Sequence, residues 1–178
     1  MRGGPDMDIG TAAECGAVEV GGGVRLVPPT EGLLAEVELN LRPGDRMEHD
    51  FVGGSLRALE GMPTWVVMDG GDAMGAGGFV LPAGATHLSS VRVAWFLSTN
   101  AVETRRVRFV RMTRRVLAAM CRGLPPWVDT IVATPMADYP QAVRWLVRVV
   151  GMRPAGKTYV DGAEFRLLAA PRKELEDV

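Results

Sequence analysis

A long amphipathic segment, residues 102–122, constrains the fold more than any other part of the chain. Its apolar side chains recur at helical spacing and form one stripe, which comprises Phe109, Met112, Val116 and Met120. Four arginines lie on the opposite face, Arg108, Arg111, Arg115 and Arg122, and Gly123 follows as a typical helix end. Such a helix must bury its apolar face against another layer. The segments on either side, residues 87–99 and 127–134, are predicted to be strands, so a sheet is the expected partner.

The remaining segments complete an alternation of helices and strands. The predicted order is a strand, two helices, three strands, a helix, a strand, a helix and two strands: 24–28, 31–41, 47–59, 64–68, 73–81, 87–99, 102–122, 127–134, 138–150, 153–160 and 163–170. This order favours the α/β fold class, with a single mixed sheet covered by helices. Residues 1–23 are rich in glycine and small side chains and bury little surface. We therefore expect a flexible N-terminal arm, followed by one domain at residues 24–178.

Composition excludes several classes of protein. The formal net charge is −1, which argues against a protein that binds nucleic acid over its whole surface. No apolar run reaches the length of a membrane span, and the first ten residues lack the apolar core of a secretory signal. Cys15 and Cys121 cannot form a disulfide framework, so the cytoplasm is the expected location. The two histidines, His49 and His87, stand far apart, and no metal site is expected.

The element order and the last predicted helix resemble the GNAT N-acetyltransferase superfamily. The similarity covers roughly residues 24–170 and is clearest at residues 141–156, where the family's last helix ends in a Gly-Phe pair and runs into a strand. This chain has Gly151-Met152 at that place. The resemblance implies the GNAT fold, in which a central mixed sheet is splayed and flanked by about four helices. We expect the splay near residues 95–99.

Three short motifs narrow the resemblance to small GNAT-like proteins of short-tailed phages and prophages, which include internal virion proteins. These motifs are an Arg-x-x-Asp-x-x-Glu segment, a tryptophan in the central strand and an Arg-Trp-Leu triplet: Arg42, Asp45 and Glu48; Trp95; and Arg144, Trp145 and Leu146. The narrower resemblance implies a phage or prophage origin and virion proteins as partners. Trp95 also has a second interpretation, because a tryptophan on a central strand often belongs to the core.

The resemblance implies a coenzyme A site where the central strand meets the 102–122 helix. The pantetheine arm of acetyl-CoA or another acyl-CoA would run along the edge of Phe96, Leu97 and Ser98. Its pyrophosphate would lie beside Thr104, Arg105 and Arg106, at a helix start that favours anions. The family's glycine loop is missing here, because residues 85–122 contain no glycine, and Glu103 adds a negative charge. The arginines are alternatively solvated or paired with Glu103.

Asp45 and Glu48 are the candidate catalytic bases, since they lie in the segment that flanks the acceptor site in this fold. His49 lies in the same segment. The alternative is an ion-pairing surface helix, in which Arg46 pairs with Asp50 or Arg42 pairs with Asp45. The tyrosine with which many family members protonate the leaving thiolate is not present in the last helix. Tyr139 precedes that place by about three turns and is not an equivalent.

Two functions therefore stay open. The first is an acyl-CoA-dependent N-acetyltransferase that acts on a small-molecule or protein amine. The second is a non-catalytic GNAT-fold structural or internal virion protein, cytoplasmic until packaged, that has lost acetyl-CoA binding. A homodimer is compatible with either. A third interpretation, nucleic-acid contact through the arginine face of residues 102–122, lacks the interleaved aromatic residues that such sites use.

Overall fold

The structure, a computed structural model, describes residues 16–59 and 64–177. Within these residues, eight strands form one sheet in the order β1-β2-β3-β4-β5-β6-β8-β7. The strands are β1 Val18–Gly21, β2 Val24–Val27, β3 Thr64–Asp69, β4 Asp72–Val80, β5 Val91–Ser98, β6 Thr130–Ala133, β7 Arg153–Val160 and β8 Ala163–Pro171. Neighbouring strands are antiparallel except β5 and β6, which are parallel. The mixed sheet of the α/β prediction is confirmed.

The described residues also form six α-helices, which cover the sheet. They are α1 Glu31–Leu39, α2 Pro43–Val52, α3 Ala101–Thr104, α4 Arg106–Arg122, α5 Pro140–Trp145 and α6 Arg172–Glu176. A 3-10 turn, Leu56–Leu59, follows α2, and a π-helical turn, Leu146–Val150, continues α5.

Two helix boundaries differ from the predicted ones. Pro43 was expected to end the first helix, but it begins α2, because the first turn of a helix does not need the N–H that proline lacks. The helix predicted at 102–122 is broken at Arg105, whose backbone angles (φ −126°, ψ 28°) are not helical. The break matters for function, because it lies where the phosphate site was expected.

The splay of the sheet is confirmed at the expected place. Strand β5 pairs with β6 only through Val91, Arg92 and Val93. The rest of β5 continues to Ser98 without a described partner on that side, while β6 ends at Ala133. A gap therefore opens between the carboxyl half of β5 and the end of β6.

Separate apolar clusters pack on the two faces of the sheet. Alternate residues of β5 divide between them, so that Ala94 and Phe96 face the cluster under α4 and Trp95 and Leu97 face the cluster under α1. Helix α1 starts at Thr30, whose side-chain oxygen accepts a hydrogen bond from the N–H of Leu33. Side chains of β5 therefore contribute to both clusters, while its edge beyond Val93 is open on the β6 side.

The sheet begins earlier than the predicted domain boundary. Residues Val18–Gly21 form β1, which pairs with β2, and the partly buried Val20 packs against the core under α4. The flexible arm predicted for residues 1–23 is therefore wrong for this part of it, and residues 1–15 lie outside the described chain. Among the helices of the described residues, none combines the length and apolarity needed to cross a bilayer.

Candidate active site at the splayed strands

A cavity of about 660 Å³ opens where β5 and β6 diverge. It has a polar mouth built from α2, the end of β5, the start of α4 and the loop before α5: Arg42, Asp45, Glu48, Ser98, Glu103, Arg106 and Tyr139. The remaining wall is mainly apolar and comes from β5, α4 and α5. This combination of an apolar cavity with a few converging polar groups is typical of ligand sites.

Asp45 joins α2 to the end of β5. Its carboxylate accepts hydrogen bonds from the backbone N–H of Ser98 at 3.2 Å and from the Ser98 hydroxyl at 2.9 Å. Arg42 donates to the same carboxylate from Nε at 2.9 Å. Asp45 is 5 % exposed, and these hydrogen bonds tie α2 to the end of β5.

Tyr139 completes the cluster from the loop after β6. Its hydroxyl accepts a hydrogen bond from Arg42 Nη2 at 3.0 Å and donates to Asp45 Oδ2 at 3.4 Å. Burial and the negative charge of Asp45 raise the pKa of Tyr139 to about 12, so the phenol stays protonated at neutral pH. The ring lies against the backbone of Gly44, where a Cβ atom would be 2.3 Å from Tyr139 Cζ. Only glycine permits this approach.

Glu48 is a carboxyl group of the cavity mouth whose pKa lies near neutral pH. Burial, and secondarily the negative charge of Asp45, raises the pKa of Glu48 to about 7. A carboxyl with this pKa exchanges protons readily at neutral pH, which suits a general base. Glu48 thus combines a place in the cavity lining with a pKa near neutral pH.

The mouth is bridged by charged groups from both sides. Arg42 Nη1 lies 3.7 Å from Glu103 Oε1, and the Arg106 guanidinium pairs with the other oxygen of Glu103. The backbone N–H of Glu103 donates to Asn100 O at 3.0 Å, and that of Arg105 donates to Val102 O at 3.1 Å. These two N–H groups are already satisfied, so neither is free to bind an anion, whereas the side chains of Arg42 and Arg106 line the cavity.

Only some of the residues predicted to bind the cofactor line the cavity. Phe96, Leu97, Ser98 and Arg106 line the cavity. Arg105 does not, because its guanidinium donates to the carbonyl of Asp69 at 2.9 Å and pairs with Asp72 in the β3–β4 turn. The exposed Thr104 donates its hydroxyl to Ala101 O at 3.0 Å and is also absent from the cavity wall.

Glycines of β4 make room for the aromatic wall. A Cβ atom on Gly77 would lie 2.5 Å from Phe96 Cδ2, and one on Gly75 would lie 2.8 Å from Phe96 Cζ. The Phe96 ring in turn packs on Phe109 and Trp145, with ring centroids 5.9 and 6.4 Å away. The glycines that weaken β4 as a strand therefore position Phe96 in the cavity.

Sequence reasoning missed three features of the site. Tyr139 was rejected because of its sequence distance from the family's tyrosine position, yet the loop before α5 places its hydroxyl beside Asp45. Gly44 gave no signal, because its role depends on a ring that is distant in sequence. Trp145 was noted only as part of a motif, but its indole lines the cavity. Trp95 packs on the core under α1, as its second interpretation expected, and it also lines the cavity.

The mixed sheet, its splay and the flanking helices define the fold of the GNAT acetyltransferases. The aminoglycoside acetyltransferase AAC(6')-Ib, solved with coenzyme A, is similar with a TM-score of 0.64 and 18 % identity, over 86 % of this chain and 97 % of that one. A chimera of the spermidine N-acetyltransferase SpeG from Vibrio cholerae and hSSAT gives 0.64 and 12 %, over 88 % and 99 %.

A third similar structure is the microcin C7 self-immunity acetyltransferase MccE in complex with acetyl-CoA and AMP. It has a TM-score of 0.63 and 9 % identity, over 88 % of this chain and 97 % of that one. No family profile and no curated protein sequence matches the chain. At these identities the similarity establishes the fold, and the function has to be argued from the site.

Proposed function

We propose that this protein is an N-acyltransferase that moves an acyl group from an acyl-CoA thioester to an amine. The observation that carries the proposal is Glu48, a carboxyl with a pKa of about 7 at the mouth of an apolar cavity, where the sheet of a GNAT fold splays. A base poised near neutral pH is what an ammonium acceptor needs, because only the deprotonated amine attacks a carbonyl carbon.

In this proposal each mouth residue has one role. Glu48 takes one proton from the acceptor ammonium, and the amine nitrogen then attacks the thioester carbonyl carbon as the C–S bond breaks. The nitrogen loses a second proton to solvent as the amide forms. Asp45 and Tyr139 fix Arg42 through their hydrogen bonds, and Arg42 and Arg106 supply positive charge for the phosphates. The thiolate leaves without a dedicated acid, since Tyr139 keeps its proton at neutral pH.

Glu48 favours a cationic acceptor, because the arginines of the mouth pair with Asp45 and Glu103 and not with Glu48. Trp95 offers an aromatic side chain in the same cavity. Carboxylates and an aromatic ring together attract an ammonium group. A small-molecule amine or an exposed protein amine would fit. AAC(6')-Ib in complexes with ribostamycin and with kanamycin, and the spermidine acetyltransferase chimera, are among the fold neighbours, which is consistent with this class.

Calorimetric titration with acetyl-CoA tests the donor half of the proposal. Binding at micromolar to millimolar concentration supports it, and no heat at millimolar acetyl-CoA overturns it. Arg42→Gln, which removes a mouth cation, should weaken binding, whereas Arg57→Gln should not. Arg57 is a suitable control because its ion pair with Glu31, at 3.6 Å, lies outside the cavity.

One observation favours a second function, that of a non-catalytic GNAT-fold protein that has lost acetyl-CoA binding. The three short sequence motifs add a phage or prophage origin and virion partners to this alternative. The N–H groups of Glu103 and Arg105 are bonded within the chain, and Arg106 is paired with Glu103. An anion would have to break that pair to enter. Under this alternative the titration gives no heat, and the protein co-purifies with assembled particles when it is expressed with its phage.

A further inference from the structure

The outer surface of the layer that contains α4 and α5 is strongly basic. Helix α4 contains six arginines and residues 140–150, which form α5 and the π-helical turn, contain two, and neither segment has an aspartate or a glutamate. Six of these arginines are exposed and form no ion pair with a carboxylate of residues 16–59 or 64–177, and together they define what we call the basic surface: Arg111, Arg114, Arg115, Arg122, Arg144 and Arg148.

Contacts between α4 and the α5 segment place these arginines in one layer. Arg114 donates from Nε to the carbonyl of Val149 at 2.6 Å, and Trp145 stacks on Phe109 with ring centroids 6.0 Å apart. Along α4 the basic surface extends from Arg111 to Arg122, about 17 Å at 1.5 Å per residue. The positive charge is therefore concentrated on one side of the sheet.

The basic surface is separate from the candidate active site. None of its six arginines lines the cavity in the described chain, whereas Arg106 does. Helix α1, which packs on the other face of the sheet, has three glutamates and no basic residue. The net charge of −1 is thus the sum of opposite local charges, and the α4 side is suited to an anionic partner.

The other exposed side chains of this surface indicate which anion it fits. Within residues 106–122 and 142–150, the exposed side chains are arginines and valines only. No exposed aromatic ring is present there to stack on the bases of a single strand or to anchor the chain in a membrane interface. No exposed hydroxyl or amide is present there to read base edges or a 2′-hydroxyl. Guanidinium groups alone bind phosphates, with two donors directed at two oxygens.

We propose that the basic surface binds the phosphate backbone of double-stranded DNA without regard to base sequence. This inference does not depend on the proposed acyltransferase activity. A duplex carries one charge per about 1.7 Å of its axis, so the length from Arg111 to Arg122 corresponds to about ten phosphates. The aromatic residues that the sequence lacks are needed for single strands, because a duplex keeps its base faces stacked inside.

The test is fluorescence anisotropy of a labelled DNA duplex of about 20 base pairs, titrated with the full chain at several salt concentrations. We expect a Kd of about 10⁻⁶ to 10⁻⁴ M at physiological salt. The logarithm of affinity should fall against the logarithm of salt with a slope of about −3.5 to −5.5, which corresponds to about four to six neutralised phosphates. Two duplexes of unrelated sequence should bind equally. No binding at about 50 mM salt overturns the inference.

A double variant with one change in each segment locates the contact. Arg111→Gln with Arg148→Gln should weaken duplex binding about 10- to 100-fold and reduce the magnitude of the salt slope by about 2. The control is Arg25→Gln with Arg57→Gln, which removes the same charge at exposed positions of β2 and of the turn after α2. The control should change affinity by less than about twofold, because salt screens distant charges. Equal losses in the two double variants would mean that only net charge matters, and would overturn the inference.

Three further ligands separate DNA from other anions. The inference is overturned if a single strand of the same length or an RNA duplex binds more tightly than the DNA duplex. It is also overturned if vesicles of phosphatidylglycerol and phosphatidylcholine bind the chain and the DNA duplex does not. Millimolar acetyl-CoA should leave duplex affinity unchanged, because the six arginines lie outside the cavity. Displacement of the duplex by acetyl-CoA would assign these arginines to the cofactor instead.

Discussion

Glu48 is the residue on which the proposed chemistry depends. Because its pKa is raised to about 7, kcat/KM of the transferase should increase as pH rises through 7 and the base becomes ionised. Glu48→Gln should lower kcat/KM by about 100- to 10,000-fold and remove this limb of the profile. Glu36→Gln, at an exposed position of α1, is the matched control and should leave the profile unchanged. An unchanged limb in Glu48→Gln would assign the base to another group.

The same carboxyl should make stability depend on pH. Its pKa is higher in the folded chain than the ordinary value of 4.5, so the unfolded chain loses the proton first as pH rises. The protonated Glu48 side chain therefore stabilises the folded state, and this contribution to the free energy of unfolding is complete below pH 4 and is lost as pH rises through 7. Glu48→Gln should therefore gain stability relative to the wild type between pH 4 and pH 8, as measured by denaturant unfolding. A constant difference across that range would contradict the raised pKa.

Gly44 should be required for the position of Tyr139. A methyl group there would lie 2.3 Å from the ring, so Gly44→Ala must displace Tyr139 and break its contacts with Arg42 and Asp45. We expect a loss of about 1–3 kcal/mol in the free energy of unfolding, typical of overpacking. Gly32→Ala in α1 meets nothing within 4 Å and should be neutral or stabilising. Combining Gly44→Ala with Tyr139→Ala should cost less than the sum of the single changes.

At the scale of elements, the break between α3 and α4 directs two adjacent arginines to different places. Arg105 pairs with Asp69 and Asp72, while Arg106 lines the mouth of the cavity. Arg106→Ala should weaken acyl-CoA binding by up to about tenfold, the value of one exposed charge-assisted bond. Arg105→Ala should leave binding unchanged and lower the melting temperature. Calorimetry and thermal unfolding of both variants test these separate roles against the prediction from the sequence, in which Arg105 and Arg106 both lie beside the pyrophosphate.

The sequence predicted the elements better than their ends. Periodicity identified the stripe of α4 and the strands around it, because burial of one face is a local property of the pattern. The break at Arg105 was not predictable, since it depends on Asp69 and Asp72 across the sheet. Contacts between residues that are distant in the sequence also limited the prediction of the site. Asp45 and Glu48 were found from a local motif, whereas Tyr139 and Trp145 reach the cavity only through the fold.

At the scale of the whole molecule, strand β1, which the sequence did not predict, connects one edge of the sheet to α4. Strand β1 pairs with β2, and the β1–β2 turn lies against the arginines of α4, where Arg108 donates to the carbonyl of Gly22. Val20 adds a partly buried apolar contact to the core under α4. Helix α4 in turn forms one wall of the cavity, so this edge supports the site at a distance.

Deleting residues 1–23 should therefore destabilise the protein, in contrast to the small effect that a flexible arm would have. The variant loses the β1–β2 pairing, the Val20 packing and the Arg108 contact, for which we expect about 1–3 kcal/mol. For a chain of this length the melting temperature should fall by about 3–10 °C. A deletion of residues 1–15, which keeps β1, is the control for the effect of truncation. If the two truncated proteins melt at the same temperature, β1 contributes nothing measurable and the arm extends to Gly23, as its composition suggested.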